Sequence, residues 1–155
     1  MRSDTLNISS GKYGGRVNDV VFVTDAAAVS ISADDSGKIH VIPDLTADCT
    51  ITLPTEEAGL SYEFWYGGTA ADAHDWTINT TGNSNYFVGG LVMNDTDDGG
   101  DDTAVVDSNG SSNSSLGVLT PIAGTLVKMV CDGTVWYVNG QVVSATNTAV
   151  TFGDQ

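Results

Sequence analysis

Apolar residues in this chain alternate with polar ones in short runs, and no stretch sustains the 3.6-residue period of an amphipathic helix. Cys49, Ile51 and Leu53 alternate with Thr50 and Thr52 until Pro54 stops the run. Tyr62, Phe64 and Tyr66 share one face of a strand, and Glu63 and Trp65 share the other. Val29 and Ile31 alternate with Ser30 and Ser32, and Ile39 and Val41 with Lys38 and His40, across an Asp34-Asp-Ser-Gly37 turn. Asp19–Thr24 reads as a short buried strand, Trp76–Ile78 as another, and Gly89-Gly90 between Tyr86–Val88 and Leu91–Met93 as a bulge or a tight hairpin. Thr103–Val106 and Leu116–Leu119 are further short strands. Thr55–Gly59 is the one stretch that suits a helical turn.

The C-terminal third predicts two hairpins in series. Asp132-Gly133 and Asn139-Gly140 have the composition of two-residue type I′ turns, whose central residues both need positive φ. That register sets Met129 opposite Trp136, Val127 opposite Val138, and Trp136 opposite Val143. A core stripe of Val127, Met129, Trp136, Val138 and Val143 follows. Ten or eleven short strands with frequent turns predict an all-β chain, an antiparallel β-sandwich or jelly-roll. With 155 residues, one domain over 17–155 is expected, preceded by an extended arm over 1–16.

Charge separates that arm from the rest. Residues 1–16 carry Arg2, Lys12 and Arg16 against Asp4, a net of +2. The remainder carries Lys38 and Lys128 against 19 acids, a net of −17. An acidic body is repelled by nucleic acid, and no apolar run approaches the roughly 18 residues that a membrane helix needs. The N-terminal residues lack the apolar core of a secretory leader. Cys49 and Cys131 are too few for a disulfide framework and are expected as reduced core residues.

Catalytic patterns are sparse. His40 and His74 have no Ser or Cys nucleophile beside them, and no His/Cys cluster has zinc spacing. Asp95 and Asp97 fit the first ligand positions of a calcium loop and Gly100 its glycine, but Gly99 and Val106 stand where ligands are needed. A solvated acidic loop over 95–102 without a tight metal site is expected. Glu63, between Tyr62 and Phe64, is the nearest approach to a glycosidase carboxylate, and Trp65, Trp76 and Trp136 to a sugar-stacking surface. Neither catalysis nor a cofactor is expected.

Two stretches carry a family resemblance. Ile51-Thr-Leu-Pro54 with Ala58-Gly-Leu60 and Tyr62-Glu-Phe64, and the ending Cys131-Asp-Gly-Thr-Val-Trp-Tyr-Val-Asn-Gly140, resemble segments of tailed-phage structural proteins. With Asp75–Ile78 and Tyr86–Gly90 between them, the chain is similar over roughly residues 38–145 to small capsid decoration (cement) proteins. The resemblance implies a non-catalytic all-β homotrimer on the outer capsid, assembled in the host cytoplasm, that binds the major capsid protein and reinforces the shell. Neither nucleic acid nor membrane is an implied partner. Endings of the form Asp-Gly-x-x-Trp-Tyr also occur in tail-fibre and tailspike modules, so a receptor-binding module for surface glycan is the alternative. Uncovered sheet edges favour self-association, with Tyr62, Trp65 and Tyr66 as interface candidates. Arg2, Leu6, Ile8, Lys12, Tyr13 and Arg16 are the candidates for an arm that docks on a neighbouring capsid protein or folds back on its own acidic body.

Overall fold

A computed structural model describes residues 19–68, 71–97 and 103–155. The expected arm and its six candidate residues lie outside them, as do residues 98–102 of the acidic loop. The described residues contain twelve strands, one 3-10 turn at Ala33–Asp35 and no α-helix. The strands are β1 (Val20–Phe22), β2 (Ala28–Ser30), β3 (Ile39–Ile42), β4 (Cys49–Thr52), β5 (Ser61–Tyr66) and β6 (Trp76–Asn79). They continue as β7 (Phe87–Asp95), β8 (Thr103–Asp107), β9 (Ser115–Val118), β10 (Leu126–Cys131), β11 (Trp136–Ser144) and β12 (Val150–Gly153). Thr55–Gly59 forms no helix; Leu60 N–H instead donates to the Glu57 carbonyl at 3.3 Å across a reverse turn.

Two sheets enclose one core. The larger has the order β1-β3-β5-β10-β11-β7-β8, the smaller β12-β9-β6-β4-β2. The antiparallel expectation is corrected, because five of the ten strand pairings are parallel. The first six strands alternate between the sheets, so β1, β3 and β5 stack in parallel on one side and β2, β4 and β6 on the other. Parallel neighbours need a long crossover. Among the first six strands each crossover is itself a strand of the opposite sheet, which winds this part of the chain as a two-sided coil. The later strands close it: β10 runs antiparallel on β5, and β9 antiparallel on β6.

Alternation delivers the core in many places. Cys49, Ile51 and Leu53 point inward, as do Tyr62, Phe64 and Tyr66. Trp76, Ile78, Leu116 and Val118 fill the space from the smaller sheet, against Ile42, Phe87, Val127 and Trp136 from the larger. Other expectations fail. β1 is an edge strand with Phe22 76% exposed, not a buried one. On β3 the buried residues are His40 and Ile42, with Ile39 and Val41 turned outward. β7 runs straight through Gly89-Gly90, so no hairpin forms there.

The C-terminal register is also corrected. Met129 pairs with Val138, Val127 with Gly140 and Cys131 with Trp136. The first turn has Gly133 and Thr134 at its centre, closed by Asp132 N–H to the Val135 carbonyl at 3.2 Å. Gly133 has φ +101, which suits the first central position of a type II′ turn. The Asp132 carboxylate caps the amides of Thr134 (2.8 Å) and Val135 (2.9 Å), which moves the turn one residue on. No second turn forms. Asn139-Gly140 lies within β11, which pairs with β10 on one side and in parallel with β7 on the other. A Cβ on Gly140 would stand 2.2 Å from the Leu126 carbonyl oxygen, at a φ of +151 that side chains avoid. Because the strand continues, Val142 rather than Val143 enters the core, and Trp136 does not face Val143.

Two substitutions test this register by chemical denaturation. Trp136→Ala is expected to cost about 3–5 kcal/mol, as for other large aromatic truncations in a core. Gly140→Ala is expected to cost about 1–3 kcal/mol through forced backbone geometry, whereas a surface turn would tolerate it.

Candidate functional site

The two sheets present different outer faces. On the smaller, cross-strand rows read Ala28–Thr50–Thr77–Gly117–Thr151 and Ser30–Thr52–Asn79–Ser115–Gly153, all small or polar. On the larger, one row crosses all seven strands: Phe22–Val41–Trp65–Leu126–Gln141–Val92–Val105. A second short row adds Val130 and Tyr137. Every large apolar residue exposed among the described residues lies on this one sheet: Val20, Phe22, Trp65, Val92, Val105, Val130 and Tyr137. A contiguous apolar patch on an otherwise polar surface marks a binding site.

Five polar side chains on or beside that face, those of Trp65, Glu63, Lys128, Tyr137 and Gln141, are already paired. Trp65 Nε1 donates to Glu63 Oε2 at 3.1 Å, and Glu63 Oε1 meets Lys128 Nζ at 3.1 Å. Tyr137 Oη donates to Asp132 Oδ2 at 3.2 Å, and Gln141 turns its amide to the Gly124 carbonyl at 2.8 Å. That bond and the nearby carboxylate hold the Tyr137 hydroxyl above its ordinary pKa, while backbone amides hold Asp132 below its own. Beside these groups runs an open groove of about 450 Å³, bordered by Lys38, Glu63, Lys128, Val130, Tyr137 and Asn139. Both lysines of the described residues stand on it, Lys38 paired with Asp35 at 2.6 Å.

The interface candidates separate accordingly. Tyr62 and Tyr66 are 1% and 5% exposed and belong to the chain's own interior, while Trp65 is on the surface. Tyr62 Oη donates to the Ser32 carbonyl at 3.1 Å, and burial pushes its pKa up to about 12. The Tyr66 hydroxyl donates to Asp44, and burial raises its pKa further. Trp76 and Trp136 are fully buried, so no shared stacking surface forms from the three tryptophans. Glu63 serves the Trp65–Lys128 chain on an open sheet face. Cys49 and Cys131 are buried and unpaired, and burial raises both thiols.

His74 Nδ1 stands 3.5 Å from Asp48 Oδ1 on the surface. His40 is fully buried, with ring centroids 5.3 Å from Phe64 and 5.6 Å from Tyr62. Neither of its ring nitrogens has a hydrogen-bond partner. At the acidic loop, Asp95 is 5% exposed and its Oδ1 accepts from the Asp97 amide at 3.0 Å, so it caps its own turn. Among the described residues no group of three or more His, Cys, Asp or Glu side chains is placed to hold a metal. No helix among them is long and apolar enough to cross a membrane.

Sequence reasoning missed Glu56. Its carboxylate accepts from Trp136 Nε1 at 3.0 Å, from Thr81 Oγ1 at 2.9 Å and from Asn85 Nδ2. It thereby ties the turn before β5 to the loop before β7 and to the start of β11. Gly59 N–H donates to the Cys131 carbonyl (2.9 Å) and Cys131 N–H to the Leu60 carbonyl (2.8 Å). The two stretches that carry the family resemblance thus fold against each other. No protein-family model matches the chain, and no curated protein matches it.

Burial pushes the His40 pKa below its ordinary 6.5, against partial relief from the Asp35 carboxylate. Below pH 6.5 the unfolded chain then binds more protons than the folded one, so stability falls as pH drops through that value. Urea midpoints measured across this range should show the loss, and His40→Phe should flatten it. Glu56→Ala is expected to cost about 1–3 kcal/mol, since it strands a buried indole N–H; Glu56→Gln should retain part of this, as thermal melts will show.

Proposed function

We propose that the chain is a virion structural protein that decorates and stabilises the outer surface of a tailed-phage capsid by binding the major capsid protein. The observation that carries an adhesive role is the seven-stranded sheet's outer face, where apolar side chains stand on both sides of Gln141 in a row across all seven strands, and Trp65, Glu63, Lys128 and Gln141 have polar partners within the chain. The capsid assignment rests on the resemblance of Ile51–Pro54, Ala58–Leu60, Tyr62–Phe64 and Cys131–Gly140, the last of which is joined to Gly59 and Leu60 through Cys131 and to Glu56 through Trp136. In this reading the protein works without a cofactor or catalytic step, as a β-sandwich homotrimer on the head. Residues 1–16 supply the capsid contact, with Arg2, Lys12 and Arg16 pairing acidic groups and Leu6, Ile8 and Tyr13 as apolar anchors.

One observation favours a second reading. Tyr137 beside Asn139, Glu63 and Lys128 on an open groove has the aromatic-plus-polar composition of a glycan subsite. A tail-fibre or tailspike module would use it to recognise host surface sugar.

Imaging gold-labelled protein on phage particles separates the two: many copies across the head are expected, and label confined to the tail overturns the capsid reading. Deleting 1–16 should abolish decoration of undecorated capsids in a cosedimentation assay. Arg2→Ala and Arg16→Ala should weaken it and make the residual binding less sensitive to salt.

A further inference from the structure

We infer that β1 is an acid-released edge strand: protonation of the buried His40 ring undocks β1 and Val23 from the larger sheet while the other strands stay paired. The inference is independent of the capsid reading.

The register places His40 one strand from the sheet's edge. On the inward face Val21 pairs with His40, and His40 with Phe64. Among the described residues β1 is outermost, so the half-buried Val21 is the last inward residue beyond His40. The ring is fully buried and both its nitrogens lack partners. A neutral imidazole so placed leaves one donor and one acceptor unmet, whereas the cation leaves two donors and a charge.

The groups around the ring do not answer that charge. Tyr62, its ring centroid 5.6 Å away, gives its hydroxyl to the Ser32 carbonyl. Asp35, the carboxylate that favours the charged ring, is held by Lys38 at 2.6 Å. Glu63 turns outward to Trp65 and Lys128, and Asp19 and Asp34 are exposed. Cys131 and Cys49, the latter the one titratable side chain on the strands of the smaller sheet, are buried thiols that burial keeps protonated.

Water is then the partner left to the cation, and β1 is the element that admits it at least cost. Three residue pairs join β1 to β3, with Ile39 N–H to the Asp19 carbonyl and Val23 N–H to the Val41 carbonyl, both 2.9 Å, at the two ends. Val20 and Phe22 are already exposed, and Val23 is the one buried anchor. The turn before β3 is held more firmly: Gly37 N–H donates to the Ser61 carbonyl at 2.7 Å, and Ser61 N–H to Ser36 Oγ at 3.0 Å. Past β1 the chain is pinned again, where Asp25 accepts from the Thr46 amide at 3.1 Å and the Ala27 carbonyl from the Thr50 amide at 2.9 Å. Undocking therefore stops short of Asp25. The docked state disfavours the proton, so undocking grows as pH falls through 6.5, by up to about tenfold per pH unit.

Amide hydrogen exchange on the full chain between pH 7.5 and 5, corrected for the chemical exchange rate at each pH, tests this. Protection of the Val23 and Ile39 amides should fall by up to about tenfold per pH unit below 6.5. It should fall with little dependence on added urea, while amides of β10 and β11 stay better protected and respond steeply to urea. His74→Gln, which removes the chain's other histidine from the surface, should leave the effect intact, and His40→Phe should abolish it. Protection of Val23 and Ile39 that does not change with pH overturns the inference, as does a pH dependence lost in His74→Gln or kept in His40→Phe. Equal protection and equal urea dependence of β1, β10 and β11 in acid also overturns it, because the whole body then opens at once.

Discussion

The larger sheet depends on β11 running unbroken through Asn139-Gly140. That strand joins the coil formed by the first half of the chain to the strands that close it, antiparallel to β10 on one side and parallel to β7 on the other. Gly140 allows the Leu126 carbonyl to approach where any side chain would collide. At the strand's start, Trp136 lies fully buried, 5.8 Å from the Tyr62 ring, with its indole N–H held by Glu56. One aromatic anchor and one glycine thus set the register for even-numbered residues to enter the core and odd-numbered ones to reach the outer face.

The same alternation produces two unlike surfaces. Outward positions of the smaller sheet carry Thr, Ser, Asn and Gly, which water solvates readily. Outward positions of the larger carry Val, Ile, Phe, Trp and Tyr beside Glu63, Lys128, Asn139 and Gln141. Nothing in the fold requires the second choice, because the chain's core is complete without those side chains. Polar residues there would give an equally paired sheet with less exposed apolar surface. The apolar face is therefore a property beyond folding, and it is the feature on which a functional account must turn.

This division also explains what was legible in the sequence. Where one face is Thr or Glu and the other apolar, as along Cys49–Leu53 and Tyr62–Tyr66, alternation gives the buried set directly. Where both faces are apolar it does not: Ile39-His-Val-Ile42 can be read with Ile39 and Val41 inside, whereas the structure buries His40 and Ile42. The ambiguity falls on strands of the larger sheet because its outer face is apolar too. Turn chemistry misled once more at Asp132, whose side chain caps two amides and so stands before the turn rather than within it. Parallel pairing left no local mark, since β1, β3 and β5 become neighbours only through strands of the opposite sheet. Glu56 was equally hidden, because its partners at 81, 85 and 136 are distant in sequence.

The Trp65–Glu63–Lys128 chain shows how charge and exposed apolar surface coexist on one face. In water such an exposed pair contributes little to stability, and Lys128 and Glu63 would each be equally well solvated apart. Their value changes when the face is covered. An unpaired carboxylate or ammonium beneath a partner would lose its hydration with nothing in return, whereas this pair arrives with each charge already answered and the indole N–H satisfied. A strongly acidic chain that places one of its few lysines opposite the one glutamate of that face has met the electrostatic requirement for burial in advance.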